Sequence, residues 1–337
     1  MSAAPLAIDL SHVSKTYKGK VQALRGIKMA VATGEIFGLL GPNGAGKSTL
    51  VKILMTVIRP TRCVGTMLGE PVGHKHTLGR VGYLPEHHRF AEYLTGAQVL
   101  DFYGALAGTP RRERKRRASA LMELVGMTAW ADRRVRSYSK GMRQRIGVAQ
   151  ALVNDPDLIL LDEPTDGVDP VGRRDIRAVL LELKSRGKTI FLNSHLLSEL
   201  EMVCDRVAIL VQGEVSAQGT IDELTHGQQR YEIEIVGGDP GAQFAGAIPS
   251  LSPHGTRHLV TGEGMEVRGP VLSLATTDPE RIQGVIDALR AKGVLIRSIR
   301  QFRPSLEDLF MQAVTDPGTG EVLTPGAAEP AARGRNR

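Results

Sequence analysis

Apolar and polar positions follow two different periods along this chain, and the places where the period changes divide it into parts. Residues 7–13 (Ala-Ile-Asp-Leu-Ser-His-Val) alternate as a strand with one buried face does. Ile27 to Val31 reads as a second strand, and Glu35 to Leu40 is a short apolar run of strand character. Ser48 to Ile58 carries neither Gly nor Pro and can form a helix. Val81 to Leu84 reads as a buried strand that stops at Pro85, whose missing N–H cannot join a ladder. From about residue 86 to 150 strand signals give way to helical ones, which predicts a helical insertion. Leu158 to Leu161 is continuously apolar, as a strand covered on both faces requires.

Asp169-Pro170 then supplies an N-cap and a first-turn proline, and the helix they open sets Ile176, Val179, Leu180 and Leu183 on one face. Thr189 to Leu192 predicts another buried strand, followed by a helix through Leu197, Leu200 and Cys204. Arg206 to Val211 and Glu214 to Ala217 flank Gln212-Gly213 as a hairpin. Strands alternating with helices predict an α/β fold with a mostly parallel sheet.

The pattern changes again after about residue 228. Tyr231, Ile233 and Ile235 alternate with Glu232 and Glu234 as a half-buried strand. Val271 to Ala275 and Val294 to Ile299 are further strand candidates, and Ile282, Val285, Ile286 and Leu289 form a helical face. Ser305 with Asp308 can cap a last helix carrying Leu306, Leu309 and Phe310. The expected domains are 1–227, with a helical subdomain at about 86–150, and a small α+β unit at 228–315. Residues 316–337, rich in Gly, Pro and Ala without periodicity, read as a disordered tail.

Composition narrows the class without choosing a function. The 337 residues suggest about two domains, and 42% apolar with 23% charged content is a soluble balance. No run approaches the roughly 18 consecutive apolar residues of a membrane span, and no apolar signal core opens the chain. The expected location is cytosolic, or peripheral to a membrane through partners. Cys63 and Cys204 lie far apart and make neither a metal-spaced pair nor a disulfide framework. Net charge is +7, which permits attraction to nucleic acid or anionic lipid and does not decide between them. Most of the basic excess that is local lies in Arg111 to Arg117, read as a solvated helix face. His74, His76, His87 and His88 lack the spacing of a metal site.

The candidate chemistry starts at Gly41-Pro42-Asn43-Gly44-Ala45-Gly46-Lys47-Ser48-Thr49. A strand precedes this stretch and a helix follows it, which is the context that the pattern G-x-x-x-x-G-K-[ST] needs. The glycines let successive backbone N–H groups converge on phosphate oxygens, and the helix adds its positive end. Lys47 would reach the β- and γ-phosphates and the Ser48 hydroxyl would ligate Mg²⁺. Asp162-Glu163-Pro164 ends the apolar strand at 158–161. Asp162 is assigned to Mg²⁺ and Glu163 to polarising a water for attack on the γ-phosphate.

With these motifs in order, the chain resembles the nucleotide-binding subunit of ATP-binding cassette (ABC) transporters over residues 5–225. Ser137-Tyr138-Ser139-Lys140-Gly141-Met142-Arg143-Gln144-Arg145 resembles the family's signature segment. Thr165-Asp166-Gly167-Val168-Asp169 resembles the loop that communicates between two sites, and Asn193-Ser194-His195 resembles the switch-histidine segment. The resemblance implies a P-loop ABC ATPase core with N-terminal antiparallel strands beside the parallel sheet. It implies that Tyr17 stacks on adenine, and that Ser139 and Gly141 contact ATP held by a second copy of the chain. His195 would donate to the γ-phosphate.

Two positions depart from the common pattern. Glu86 stands where the family usually has Gln; it can ligate Mg²⁺ but cannot donate a hydrogen bond. Lys140 and Met142 replace Gly and Gln of the signature; Lys140 is expected to add positive charge near the phosphates. Pro304 to Phe310 resembles the ending of drug-resistance-type exporter ATPases. The implied partners are a separate integral membrane permease and a second cassette, as a homodimer, on the inner face of the cell membrane. The groove near residues 86 to 104 would pass the motion to the permease. The rival expectation is a soluble ABC-type ATPase acting on ribosomes or nucleic acid. Intact Asp162, Glu163 and His195 argue against a non-catalytic nucleotide-binding module.

Overall fold

The computed structural model describes residues 5–19, 21–225, 229–236, 244, 259–261 and 265–315, with 319, 321 and 323. Strands β1 (Leu6–Thr16) and β2 (Gln22–Ala32) pair antiparallel, with Ile8 opposite Val31, Leu10 opposite Met29 and Val13 opposite Ile27. These six apolar side chains are buried, so the alternation does predict the inner face. Both strands run longer than the sequence pattern suggested, because hairpin pairing continues through the polar residues beyond the apolar core. Strand β3 (Ile36–Leu40) is buried throughout and is followed by helix α1 (Lys47–Leu54). The helix ends before Ile58 because Thr56 turns to φ 59°, outside helical space.

Strands β4 (Arg62–Met67) and β5 (Glu70–Pro71) extend the first sheet, giving the order β2-β1-β4-β5. Sequence patterning did not anticipate this pair. Most of β4 is half-exposed, so it has no continuous apolar signature. After β6 (Val81–Leu84) come three helices of the insertion, α2 (Gly96–Leu106), α3 (Arg111–Leu124) and α4 (Lys140–Ala151). Thr95 and Gln98 form a reciprocal capping box at the start of α2.

The chain then returns to strand and helix in alternation: β7 (Leu158–Asp162), α5 (Pro170–Ser185), β8 (Thr189–Asn193), α6 (Leu197–Val203), β9 (Arg206–Val211) and β10 (Glu214–Gly219). Asp169 caps α5, accepting from the Gly172 N–H at 2.8 Å, and Ile176, Val179, Leu180 and Leu183 are its buried face. The β9–β10 hairpin turns at Gln212 and Gly213, with φ of 47° and 82°, the left-handed pair that matches strand twist.

The second sheet has the order β10-β9-β3-β8-β7-β6, parallel except for its β9–β10 edge. Phe37 and Phe191 stack in its core with ring centroids 5.8 Å apart. Its register decides where the chemistry can lie. Leu39 and Asp162 both pair with Asn193, and Leu84 pairs with Leu161. The carboxyl ends of β3, β8, β7 and β6 therefore lie side by side, and the loops leaving them share one edge, the usual place for a ligand in such a sheet.

Helix α7 (Ile221–Thr225) precedes a third sheet built from β11 (Arg230–Val236), β12 (Leu259–Thr261), β13 (Met265–Arg268), β14 (Val271–Leu274) and β15 (Leu295–Phe302). It is antiparallel, in the order β12-β13-β14-β11-β15. Helix α8 (Pro279–Ala291) packs Ile282, Ile286 and Leu289 into a core with Ile233, Ile235, Leu272 and Leu274. Glu232 departs from simple alternation. It is buried between the Arg230 and Arg300 guanidiniums, 3.0 and 2.7 Å from its oxygens. Helix α9 (Leu306–Val314) starts where Ser305 and Asp308 bond each other reciprocally.

The chain separates into two compact units, residues 1–221 with 310–337, and residues 222–309. The expected tail at 316–337 lies almost wholly outside the described residues. Among the described residues no helix is long and apolar enough to cross a membrane.

Candidate active site

Residues 41–46 leave β3 and wind into α1. Gly46 caps the helix at φ 108°, and a Cβ there would lie 2.6 Å from the Ala23 carbonyl oxygen, so only glycine fits. Hydrogen bonds from the Ala45 N–H to Pro42 O (3.1 Å) and from the Gly213 N–H to Ala45 O (2.9 Å) hold the loop. No side chain caps α1 and no acid occupies its first turn, so the positive helix end is open to an anion. Lys47 opens the helix, only 7% exposed. Its Nζ donates to the Gly41 and Pro42 carbonyls at 2.6 and 3.2 Å. Burial lowers its pKa, opposed by the carboxylates of Glu163, Asp162 and Glu86.

Thr49 Oγ1 lies 3.4 Å from the Tyr17 hydroxyl, which sets the Tyr17 ring beside the first turn of α1. The ring is 38% exposed, with Lys15 Nζ 5.0 Å from its centroid. Ser48 stands between Lys47 and Thr49 on the same turn.

Asp162, at the end of β7, is 2% exposed and accepts from Asn193 Nδ2 at 2.5 Å. Burial pushes its pKa up, and the charge of Glu86 adds to the shift. Glu86 itself is exposed, two residues past β6, with His87 Nε2 at 3.7 Å. Its field also reaches Tyr83, whose phenol is pushed up to about 12 by burial first and then by Asp162 and Glu86. The charges of Glu163, Asp162 and Glu86, on loops that leave this one sheet edge, all act on the Lys47 ammonium.

Glu163 sits in the left-handed region at φ 54°, where a non-glycine residue is uncommon. Its N–H donates to Asn193 O at 2.8 Å, and its own carbonyl accepts from Gln144 Nε2 at 3.1 Å. Its Oε2 lies 2.7 Å from His195 Nδ1 and accepts the His195 backbone N–H at 3.4 Å. Burial raises the Glu163 pKa, and the neighbouring His195 is the largest opposing influence. Glu163 and His195 are therefore one hydrogen-bonded pair. With Nδ1 on the carboxylate, Nε2 is the nitrogen left to face a ligand.

Ser139 and Gly141 lie at the start of α4. Ser139 Oγ caps the helix, accepting from the Met142 N–H at 3.2 Å. Gly141 has room for a methyl group in its own chain: an added Cβ would meet nothing nearer than Val168 Cγ1 at 3.6 Å. Lys140 departs from expectation. Its Nζ donates to Asp166 Oδ2 at 2.7 Å, so its charge is directed to the loop after Glu163. The side chain crosses Gly167, at φ 64°, where a Cβ would come 2.1 Å from Nζ. Sequence reasoning missed this tie, and it missed Gln144 and Asn193, whose side chains hold Glu163 and Asp162. Asn193 was legible as the last residue of an apolar strand, and Gln144 as a polar residue facing inward on α4.

Comparison with known proteins agrees with this geometry. The family described as ABC transporter matches residues 24–166. An uncharacterized ABC transporter ATP-binding protein of Synechocystis sp. is 41% identical over 92% of this chain and 85% of its own length. A Nod factor export ATP-binding protein I of Rhizobium sp. (strain N33) is 36% identical over 91% of this chain and 96% of its own. A daunorubicin resistance ATP-binding protein of Streptomyces coeruleorubidus is 34% identical over 93% and 97%. Among solved structures, a dimeric ATP-binding cassette in a post-hydrolysis state, bound to ADP and Pi, superposes with a TM-score of 0.58. It is 25% identical and covers 63% of this chain and 98% of its own. Relatedness over nine-tenths of the chain, with the motif loops gathered on one sheet edge, leaves one conclusion: the protein belongs to the ATP-binding proteins of the ABC transporter family.

Proposed function

We propose that this chain binds ATP at Gly41–Thr49 and hydrolyses it to drive an exporter whose membrane-spanning permease is a separate protein. The observation that carries the reading is the half-buried Glu163 carboxylate, held by His195 and acting on the Lys47 ammonium. Glu163 would take the proton of the attacking water while Lys47 and the α1 N-terminus hold the phosphates. The nucleotide would draw Lys47 Nζ from the loop carbonyls that it now bonds. His195 Nε2 would donate to the γ-phosphate, which requires protons on both ring nitrogens while Nδ1 bonds Glu163. Tyr17, beside Thr49, would stack on adenine.

Mg²⁺ fits the donor set. Ser48, Asp162 and Glu86 offer hard oxygens, and the buried Asn193 Oδ1 beside Asp162 has no partner among the described residues. Bound there, Mg²⁺ would neutralise phosphate charge.

The room beside Gly141 supports a second chain. Its own fold does not require glycine there, so a close approach from outside accounts for the small residue. Ser139 and Gly141 would then complete the ATP site of a partner copy, an arrangement in keeping with the dimeric cassette that the chain resembles. Export as the direction of transport follows the Nod factor relative. The protein would lie on the inner face of the membrane, bound to its permease. Glu163→Gln tests the reading: ATP binding should persist while turnover falls by about 10²- to 10⁴-fold. Wild-type turnover in that variant would remove Glu163 from the chemistry. Copurification with ribosomes or nucleic acid, and never with a membrane protein, would favour the soluble reading instead.

A further inference from the structure

Glu163 and His195 sit on short loops that are tied to the helices after them. In the loop from β7 to α5, the Asp166 N–H donates to Glu163 O and the Val168 N–H to Thr165 O, each at 3.2 Å, and Asp169 caps α5. In the loop from β8 to α6, the Leu196 N–H donates to Ser194 Oγ and the Glu199 N–H to Leu196 O, each at 3.1 Å. Each loop therefore follows the helix that it enters. On the strand side the two loops start from paired residues, Asp162 opposite Asn193. On the helix side their spacing depends on what joins α5 to α6.

One ion pair makes that join close to both loops. Arg177 of α5 donates from Nη2 to Glu199 Oε2 of α6 at 3.0 Å, with the side chains 23% and 14% exposed. The pair borders a cavity of about 10 Å³ that Pro164, Thr165 and Ser194 also line. Pro164 and Thr165 follow Glu163, and Ser194 precedes His195. The contact between Glu163 and His195 is thus closed into a ring, with strand pairing on one side and the ion pair on the other.

The pair is a poor device for stability alone. Arg177 Nε is buried and has no partner among the described residues, an unmade hydrogen bond that disfavours the fold. Leu180, Leu192 and Val203 line the same cavity, so an apolar pair would have apolar neighbours there. Apolar replacements of a buried ion pair commonly equal or exceed it in stability. What they lack is direction, since a charge-assisted hydrogen bond fixes the approach of the two helices.

We propose that Arg177 and Glu199 are positioning residues for ATP hydrolysis, their ion pair setting α5 against α6 so that His195 stays on Glu163. The proposal rests on Glu163 and His195 being the groups that act on the attacking water and the γ-phosphate.

Steady-state phosphate release from ATP by the full-length chain tests it. R177M/E199L keeps the volume of the pair and should melt at or above the wild-type temperature. Its kcat should nevertheless fall about tenfold or more, with KM for ATP within about twofold of wild type. E199Q, isosteric and so secure in folding, should lose about threefold in kcat. R177K can still make the single bond and should stay within about twofold of wild type. K188M removes the Lys188–Asp155 pair, which precedes β7 and β8 at the opposite sheet edge, and should also stay within about twofold. In a His195→Ala background, R177M/E199L should cost no more than about twofold further. Wild-type kcat in both R177M/E199L and E199Q, a KM that rises as much as kcat falls, or an equal loss with and without His195→Ala would overturn the brace. Wild-type turnover in His195→Ala by itself would overturn the underlying reading of His195 instead.

Discussion

Glu163 carries two costs at once: a left-handed backbone and a carboxylate whose burial disfavours its charge. Both are met by neighbours, the backbone through Asn193 and Gln144 and the side chain through His195. A pKa raised in the fold means that Glu163 takes up its proton at a higher pH than a free glutamate does. If it is the base, turnover should fall on the acidic side earlier than an ordinary carboxylate would dictate, and a pH–rate profile reads this directly. Asp162 follows the same sign. Its pKa is also raised, so the folded state binds the proton more tightly than the unfolded chain, and the charged form opposes folding at neutral pH. That cost grows as pH rises from the unfolded value through the folded one. Asp162→Asn, which can still accept from Asn193, should therefore raise the melting temperature at pH 7 and change it little in acid. A lower melting temperature at pH 7 would show that the carboxylate makes a stabilising contact instead.

At the scale of elements, the placement of the site is a consequence of sheet register. Runs such as Leu158–Leu161 and Thr189–Leu192 were legible because strands buried on both faces leave continuous apolar stretches. With β8 paired to β3 and β7 paired to β8, the loops carrying Lys47, Glu163 and His195 leave the same edge of the sheet. β4, β12 and β13 were not legible, being short and, in β4, half-exposed. Side-chain ties between elements were equally hidden. The Lys140–Asp166 bridge joins the start of α4 to the loop after Glu163, and no spacing rule announces it. Both residues are exposed, so the pair is worth less than about 1 kcal/mol of stability. Its effect should appear in turnover: Lys140→Asp and Asp166→Lys should each lower it severalfold, and the double exchange should restore much of it. Non-recovery in the exchange would mean that the bridge itself does not matter.

For the whole molecule, the sequence separated an α/β part from a later α+β part, and the α/β, P-loop architecture is what the fold and its relatives have. The structure sets the units at 1–221 with 310–337, and 222–309, a division that falls within the last helix, Leu306–Val314. Local periodicity cannot reveal such a boundary, because it depends on contacts between segments distant in sequence. The same limit applies to a site shared between copies. Lys47 and Gly141 would belong to opposite chains of one site, so defects in them should complement. Phosphate release from ATP by purified Lys47→Ala and Gly141→Asp, alone and mixed, is the most direct test. Neither variant should turn over alone, and the mixture should recover up to about a quarter of wild-type activity, since random pairing leaves one intact site in each mixed dimer. A mixture as inactive as its components, from two variants that still fold and pair, would contradict the shared site.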